Sequence, residues 1–197
     1  MKRRGYILAG AVVAVLGGLM IPAGTRAEAS NPLLWADVPD MAMIRVGNTY
    51  YMSSTTMHLS PGLPLMKSLD LVNWRHVSYA YDSLDDVDEL NLENGKSAYG
   101  GGSWASSLRY HGGMYYVTTF SGTTGKTYVY TAKDIEKGPW VAASFKPALH
   151  DHSLFFDDGR VYMVYGSGRI KIVELVTDAS AIKPGGLDKV LVEDASQ

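Results

Sequence analysis

The chain has 197 residues, with 18 basic against 20 acidic side chains and a formal charge of -2. That length suits one domain or two small ones, and a near-neutral balance with no basic run in the body argues against nucleic acid as the main partner. There is no cysteine, which excludes disulfides, thiolate metal sites, a cysteine nucleophile and a lipid anchor carried on cysteine.

The first segment reads as an address rather than as part of a fold. Lys2, Arg3 and Arg4 precede an apolar run from Tyr6 to Met20, and Ala27 and Ala29 stand where a signal peptidase reads small residues. The run is 20 − 6 + 1 = 15 residues long, short of the ~20 that span a bilayer. Residues 1–29 are therefore expected to be a secretory signal. The remainder, 30–197, is expected to be exported to the periplasm or beyond, with no stable membrane anchor.

The body reads as short strands joined by tight turns, in keeping with 21 Gly and 13 Tyr. Met43–Ser54 is two β-rich runs around Gly47-Asn48, and Leu108–Thr119 and Leu154–Tyr165 repeat the pattern. Each hairpin places a tyrosine at the same point, Tyr51, Tyr116 and Tyr162, at separations of 116 − 51 = 65 and 162 − 116 = 46. A second echo follows the hairpin. Leu65–Trp74 and Val129–Trp140 each run from a strand through an Asp-led turn, at Asp70 and Asp134, to a Trp that opens the next strand. A unit is then about four strands, the size of one propeller blade. A β-sandwich with accidental hairpin similarity is the weaker choice, because two echoes recur in the same order. The expected blades are 40–82, 103–146 and 150–193, with an acidic, solvated insertion at 83–98 and a Lys183–Gly186 turn inside the third. Three blades do not close a ring, since propellers typically have about four to eight. The chain is accordingly expected to be the front part of a longer all-β propeller.

The repeat also places carboxylates. Eleven residues before Tyr51, Tyr116 and Tyr162 stand Asp40, Ala105 and Asp151. These positions open the innermost strands, where successive blades converge, so both acids are expected to face one cleft. Two carboxylates on one cleft suit glycoside hydrolysis or metal binding, whereas an Asp opening a strand also caps turns. Trp104, beside Ala105, is a candidate for stacking on a sugar ring. His150 and His152, two apart, are expected on one face of a strand, but no third ligand has suitable spacing and no metal site is assigned. His58, in the loop after the second strand, is a candidate substrate contact, as is His152.

Asn31–Met52, Ser60–Trp74, Tyr99–Ala105 and His150–Gly159 together resemble, in order, the signatures of glycoside hydrolase family 43, the β-xylosidase and α-L-arabinofuranosidase group. The resemblance implies a five-bladed propeller, of which about three blades lie in this chain, and hydrolysis with inversion at the anomeric carbon. It implies Asp40 as the general base and Asp151 as the residue that tunes the pKa of the acid. The family's general acid is a Glu from a later blade. None of Glu28, Glu89, Glu93, Glu136, Glu174 and Glu193 stands at the matching position, so this chain alone is expected to be inactive. A carbohydrate-binding or pseudoenzyme propeller is the alternative. The expected partner is a carbohydrate substrate. No cofactor is expected, and a central ion is not predicted.

Overall fold

A computed structural model describes residues 28–193; the expected signal segment lies almost wholly outside them. Among the described residues, no helix is long and apolar enough to cross a membrane. Twelve strands form three four-stranded antiparallel sheets, each a simple meander. The first holds β1 (Ala42–Val46), β2 (Thr49–Ser53), β3 (Gly62–Ser68) and β4 (Trp74–Tyr81). The second holds β5 (Ser107–His111), β6 (Met114–Ser121), β7 (Lys126–Ala132) and β8 (Val141–Phe145). The third holds β9 (Ser153–Asp157), β10 (Arg160–Tyr165), β11 (Arg169–Leu175) and β12 (Asp188–Glu193). The first strands of successive sheets, β1, β5 and β9, lie against one another. The sheets are thus three propeller blades, within the limits the repeat predicted.

The tyrosine register holds to the residue. Tyr51, Tyr116 and Tyr162 each stand nine residues after the start of their blade's first strand (51 − 42, 116 − 107 and 162 − 153). Side chains alternate between the two faces of a strand, so equal offset means equal facing. Tyr51 packs in a core with Leu108, Tyr115, Val117 and Tyr130 of the second blade. Tyr116 packs against Leu154, Val161 and Met163 of the third. Tyr51 and Tyr116 each face the next blade. There are consequently two cores, one at each interface between blades, and the middle blade is covered on both faces.

The second echo has a local cause. Asp70 accepts hydrogen bonds from the backbone N–H groups of Val72 and Asn73 and from the Asn73 side chain. Asp134 does likewise for Glu136 and Lys137. Both are Asx turns that reverse the chain before the outermost strand. The bonds, led by that from the Asn73 backbone, hold the Asp70 carboxyl well below the usual range.

One detail departs from expectation. The insertion carries a short helix, α1 (Asp88–Asn91), and is not uniformly solvated. Asp85 accepts from Lys126 at 2.6 Å and from the Tyr128 hydroxyl at 2.7 Å, tying the insertion to the second blade. In the third blade Glu174 is buried but satisfied by Arg160, Lys183 and the Leu187 N–H. Those partners, Arg160 foremost, hold its carboxyl down to about 2.

His152 is part of the second interface. It is 4 % exposed, with Nδ1 at 2.8 Å from the Leu149 carbonyl and Nε2 at 2.8 Å from Thr118 Oγ1. Burial pulls its pKa from 6.5 down to about 4, against weaker opposing effects of the Leu149 carbonyl and Asp151. The neutral ring therefore donates from Nδ1 and accepts at Nε2. A depressed imidazole pKa favours the unfolded chain on protonation. Its contribution is fully present above pH 6.5 and is lost as pH falls through about 4, amounting to about 3 kcal/mol. Denaturation midpoints should fall between pH 7 and pH 4, and fall less in His152→Gln; identical slopes in both proteins would contradict this placement.

The outer faces of the first and third blades are open. Met41 and Met43 are exposed beside an apolar groove lined by Pro32, Leu34, Met52 and Trp74. Phe155, Val190, Leu191 and Val192 are exposed on the third blade. Contiguous exposed apolar surface drives association. The purified chain is expected to sediment as species larger than a monomer, and a stable monomer at micromolar concentration would count against this reading.

Candidate functional site

The site is built where the innermost strands begin. Asp40, Ala105 and Asp151 each lie two residues before β1, β5 and β9. Each of these three segments is held through a carbonyl, by a hydroxyl in the first two blades and by a backbone N–H in the third. The carbonyl of the preceding residue accepts from the chain at the far end of the blade's second strand. Ser54 Oγ donates to the Pro39 carbonyl at 2.5 Å, Thr119 Oγ1 to that of Trp104 at 2.8 Å, and the Gly166 N–H to that of His150 at 2.8 Å. Ser54 and Thr119 are each three residues past the blade's marker tyrosine, so the bond is part of the repeat.

The residue after each segment then fastens one blade to the one before it. Ser106 Oγ meets Ser53 Oγ at 2.8 Å, and His152 Nε2 meets Thr118 Oγ1 at 2.8 Å. Ser53 and Thr118 both stand two residues past their marker tyrosine. The Leu154 N–H donates to Ser107 Oγ, and Arg109 Nε donates to the Leu154 carbonyl. The starts of adjacent inner strands are thus bolted together by buried polar contacts, which places their leading residues reproducibly.

Asp40 and Asp151 share more than position. Both adopt the left-handed backbone conformation, with φ of 50° and 45°. Residues other than glycine are uncommon there, and Asp is among the few that tolerate it. Ala105, the equivalent residue of the middle blade, is not among the positive-φ residues. Both Asp side chains are exposed, Asp151 at 55 %. The same conformation corrects the expectation for His150 and His152. A left-handed residue between them breaks the two-residue alternation, so His150 is half exposed while His152 points into the interface. His152 is buried and does not reach solvent. Its ring instead holds the segment that presents Asp151.

Trp104 and His150 converge on that segment. Trp104 is 40 % exposed and lies 6.2 Å from the Phe120 ring, which is 5.2 Å from the ring of His150. His150 Nδ1 lies 3.6 Å from Asp151 Oδ2. An aromatic run therefore leads from the start of the second blade to the carboxylate of the third.

On the side of Asp40, a cleft of about 230 Å³ is bounded by Asp37, Pro39, His58 and Tyr99. His58 Nδ1 accepts the Gly100 N–H at 3.2 Å, and its ring lies 4.7 Å from that of Tyr99. Tyr99 is 87 % exposed. It was legible only as an aromatic heading a Gly-rich loop, and sequence reasoning did not single it out as a site residue. That loop packs closely on the first blade. Gly102 has φ of 78°, and a Cβ there would lie 2.2 Å from the Met57 carbonyl oxygen, so no other residue fits. The Ser103 N–H donates to the same carbonyl, and Thr55 Oγ1 to the Ser103 carbonyl.

Of the glutamates, Glu136 pairs with Lys67 and Arg75, Glu89 with Lys96, Glu174 with Arg160 and Lys183, and Glu193 with Arg169. Among the described residues no Glu stands at a strand start, and no group of three or more His, Asp or Glu side chains is arranged to hold a metal ion.

Known proteins are similar to this chain in sequence and fold. A β-xylosidase of Formosa agariphila is 39 % identical over 132 residues, covering 65 % of this chain and 22 % of its own. A non-reducing end α-L-arabinofuranosidase of Bacteroides ovatus is 33 % identical over 137 residues, covering 68 % and 25 %. The solved structure of a bifunctional GH43-CE protein of Bacteroides eggerthii superposes with a TM-score of 0.81 at 60 % identity, over 85 % of this chain and 22 % of that one. The chain thus spans about a quarter of the length of these relatives. The profile of glycosyl hydrolases family 43 matches residues 29–194, and with a match across nearly all of the described fold the chain belongs to that family.

Proposed function

We propose that this chain supplies two of the three carboxylates of an exported glycosidase acting on xylose- or arabinose-containing carbohydrate. The observation that carries the reading is the pairing of Asp40 and Asp151. They stand at equivalent starts of inner strands, left-handed in backbone and open to solvent, while the middle blade has alanine there. Strained or rare backbone geometry that recurs at equivalent exposed acids points to function. The names of the relatives, β-xylosidase and α-L-arabinofuranosidase, support the substrate class, and the basic-then-apolar start of the sequence supports export.

In this reading Asp40 is the general base. Its carboxylate takes a proton from water as the water attacks the anomeric carbon from the face opposite the leaving group, which inverts that centre. The bond to the leaving oxygen breaks at the same time. That oxygen needs a proton, because an alkoxide is a poor leaving group, and general acid help is commonly worth ~10²–10⁴ in rate. Asp151 does not donate that proton. It holds and tunes the acid, a Glu that the strand starts of this chain do not provide. Trp104 gives the sugar ring an apolar face, and His58 borders the cleft on the Asp40 side.

In a protein that carries this chain together with the acid, Asp40→Asn is expected to lower kcat for an aryl β-xyloside or aryl α-L-arabinofuranoside by about 10³ or more, with KM little changed. Asp151→Asn should lower kcat less and move the alkaline limb of the pH profile, because the acid's pKa is no longer tuned. An Asp40→Asn enzyme with undiminished turnover would overturn the assignment. This chain alone should release no aryl group above the uncatalysed rate. Turnover of ~1 s⁻¹ would instead mean that one of its own acids protonates the leaving oxygen.

A further inference from the structure

Tyr99 is 87 % exposed, yet its loop, residues 97–103, is clamped to both neighbouring blades. The Ser103 N–H donates to the Met57 carbonyl of the first at 3.0 Å, and Thr123 Oγ1 of the second accepts the Gly102 N–H at 3.3 Å. Within the loop the Tyr99 N–H donates to Ser97 Oγ at 3.1 Å, and the Gly101 N–H to the Ala98 carbonyl at 2.6 Å. The His58 ring lies 4.7 Å from that of Tyr99 and 46° from parallel to it. A large aromatic held in place in water forgoes the burial that would stabilise the fold. The facing loop carries a cost too. Met57, beside His58, is left-handed with φ of 53°, a conformation uncommon outside glycine and short polar residues. It is held there by Thr55 Oγ1, which accepts its N–H at 2.9 Å, and by the bond from Ser103. Unfavourable local features that the surroundings enforce cluster at functional sites.

The Tyr99–His58 pair divides two small clefts. One, of about 230 Å³, has Asp37 and Pro39 beside the two rings, and the other, of about 210 Å³, has Ser60, Glu89 and Leu90. Among the described residues neither is lined by Lys or Arg. Glu89 is paired with Lys96, and Asp37 is exposed with no ion pair among the described residues. An anionic ligand would therefore meet carboxylates and no cation. His58 Nδ1 accepts the Gly100 N–H, so the proton of the neutral ring sits on Nε2. That nitrogen makes no hydrogen bond among the described residues and is not buried. An aromatic face, one N–H donor and one carboxylate acceptor suit a neutral ring with C–H faces and hydroxyls.

Position says which molecule that ring belongs to. His58 follows β2 and Asp40 precedes β1, and the two strands are antiparallel, so both residues stand at the same end of the first blade. The first cleft includes Pro39, the neighbour of Asp40, and the loop of Tyr99 runs directly into Trp104.

We infer that Tyr99 and His58 form a subsite for a further unit of the same neutral pentose chain whose reacting unit lies at Asp40. Tyr99 gives that unit a stacking face, His58 Nε2–H donates to one of its oxygens, and Asp37 accepts from a hydroxyl. The identity of the ligand rests on the function proposed above, but binding at Tyr99 does not require hydrolysis.

The test is calorimetric titration of the full chain with two neutral probes, xylohexaose and α-1,5-arabinohexaose. Every group of the subsite lies in this chain, so at least one probe should bind, and the one that does identifies the pentose chain. Tyr99→Ala should weaken that binding about tenfold, while Tyr99→Phe, which keeps the ring, preserves it. His58→Phe, which removes the donor and keeps a ring behind Tyr99, should weaken it by a smaller factor. An unchanged thermal midpoint verifies that each variant is folded. Equal affinity in Tyr99→Ala and the unaltered chain would overturn the subsite, as would failure of both probes to bind. Binding through Tyr99 alongside an Asp40→Asn enzyme of undiminished turnover would sink the catalytic reading alone, so the two fail separately.

Discussion

The arrangement depends on one kind of contact, the polar clasp between the starts of neighbouring inner strands. Ser53 with Ser106 joins the first blade to the second, and Thr118 with His152 joins the second to the third. A twisted four-stranded sheet packs its neighbour through apolar side chains, and such packing tolerates small slides because it is non-directional. Hydrogen bonds between buried groups do not tolerate them, since a lost partner leaves a desolvated donor or acceptor at a cost of about 1–3 kcal/mol. The clasps therefore set the height of one blade against the next. The carbonyl bonds from Ser54, Thr119 and Gly166 then fix each leading segment onto its own blade. Position along the pseudo-axis passes from one blade to another through side chains two and three residues beyond the marker tyrosines of the first two blades.

This division of labour separates stability from chemistry. The two apolar cores, centred on Leu63, Leu65, Leu108 and Val117 in one and on Leu154, Met163 and Val173 in the other, are buried and carry no catalytic candidate. The exposed acids stand just outside them, on segments whose polar groups are satisfied by the frame. Repetition makes this economical. One supersecondary unit presents the same point three times, and the residue placed there can differ, Asp in the first and last blades and Ala in the middle one. Function in such a fold is a matter of which blade carries what at an equivalent position.

Much of the fold was legible in the sequence because it is local and repeated. The Gly-centred hairpins, the paired tyrosines and the Asx turns at Asp70 and Asp134 are short-range features, and their recurrence in the same order turned them into blades with the right limits. Asp40 and Asp151 followed from the same register, and the structure puts them at equivalent places. What spacing could not show is where a side chain points once the backbone leaves the strand geometry. The left-handed Asp151 separates His150 from His152 and sends the latter into an interface. Asp85 looked like one acid in a solvated run, and only the approach of Lys126 and Tyr128 from another blade gives it partners.

The central claim is that Asp40 and Asp151 address a single sugar ring from two blades. The most direct measurement is a crystal structure of a protein carrying this chain and the family's acid, with Asp40→Asn to prevent turnover and a neutral pentose oligosaccharide bound. The account predicts one sugar ring with the substituted side chain at position 40 and Asp151 both beside it and the Trp104 indole along its face. A ring bound with residue 40 or Asp151 turned away to the outer rim of its blade would contradict it.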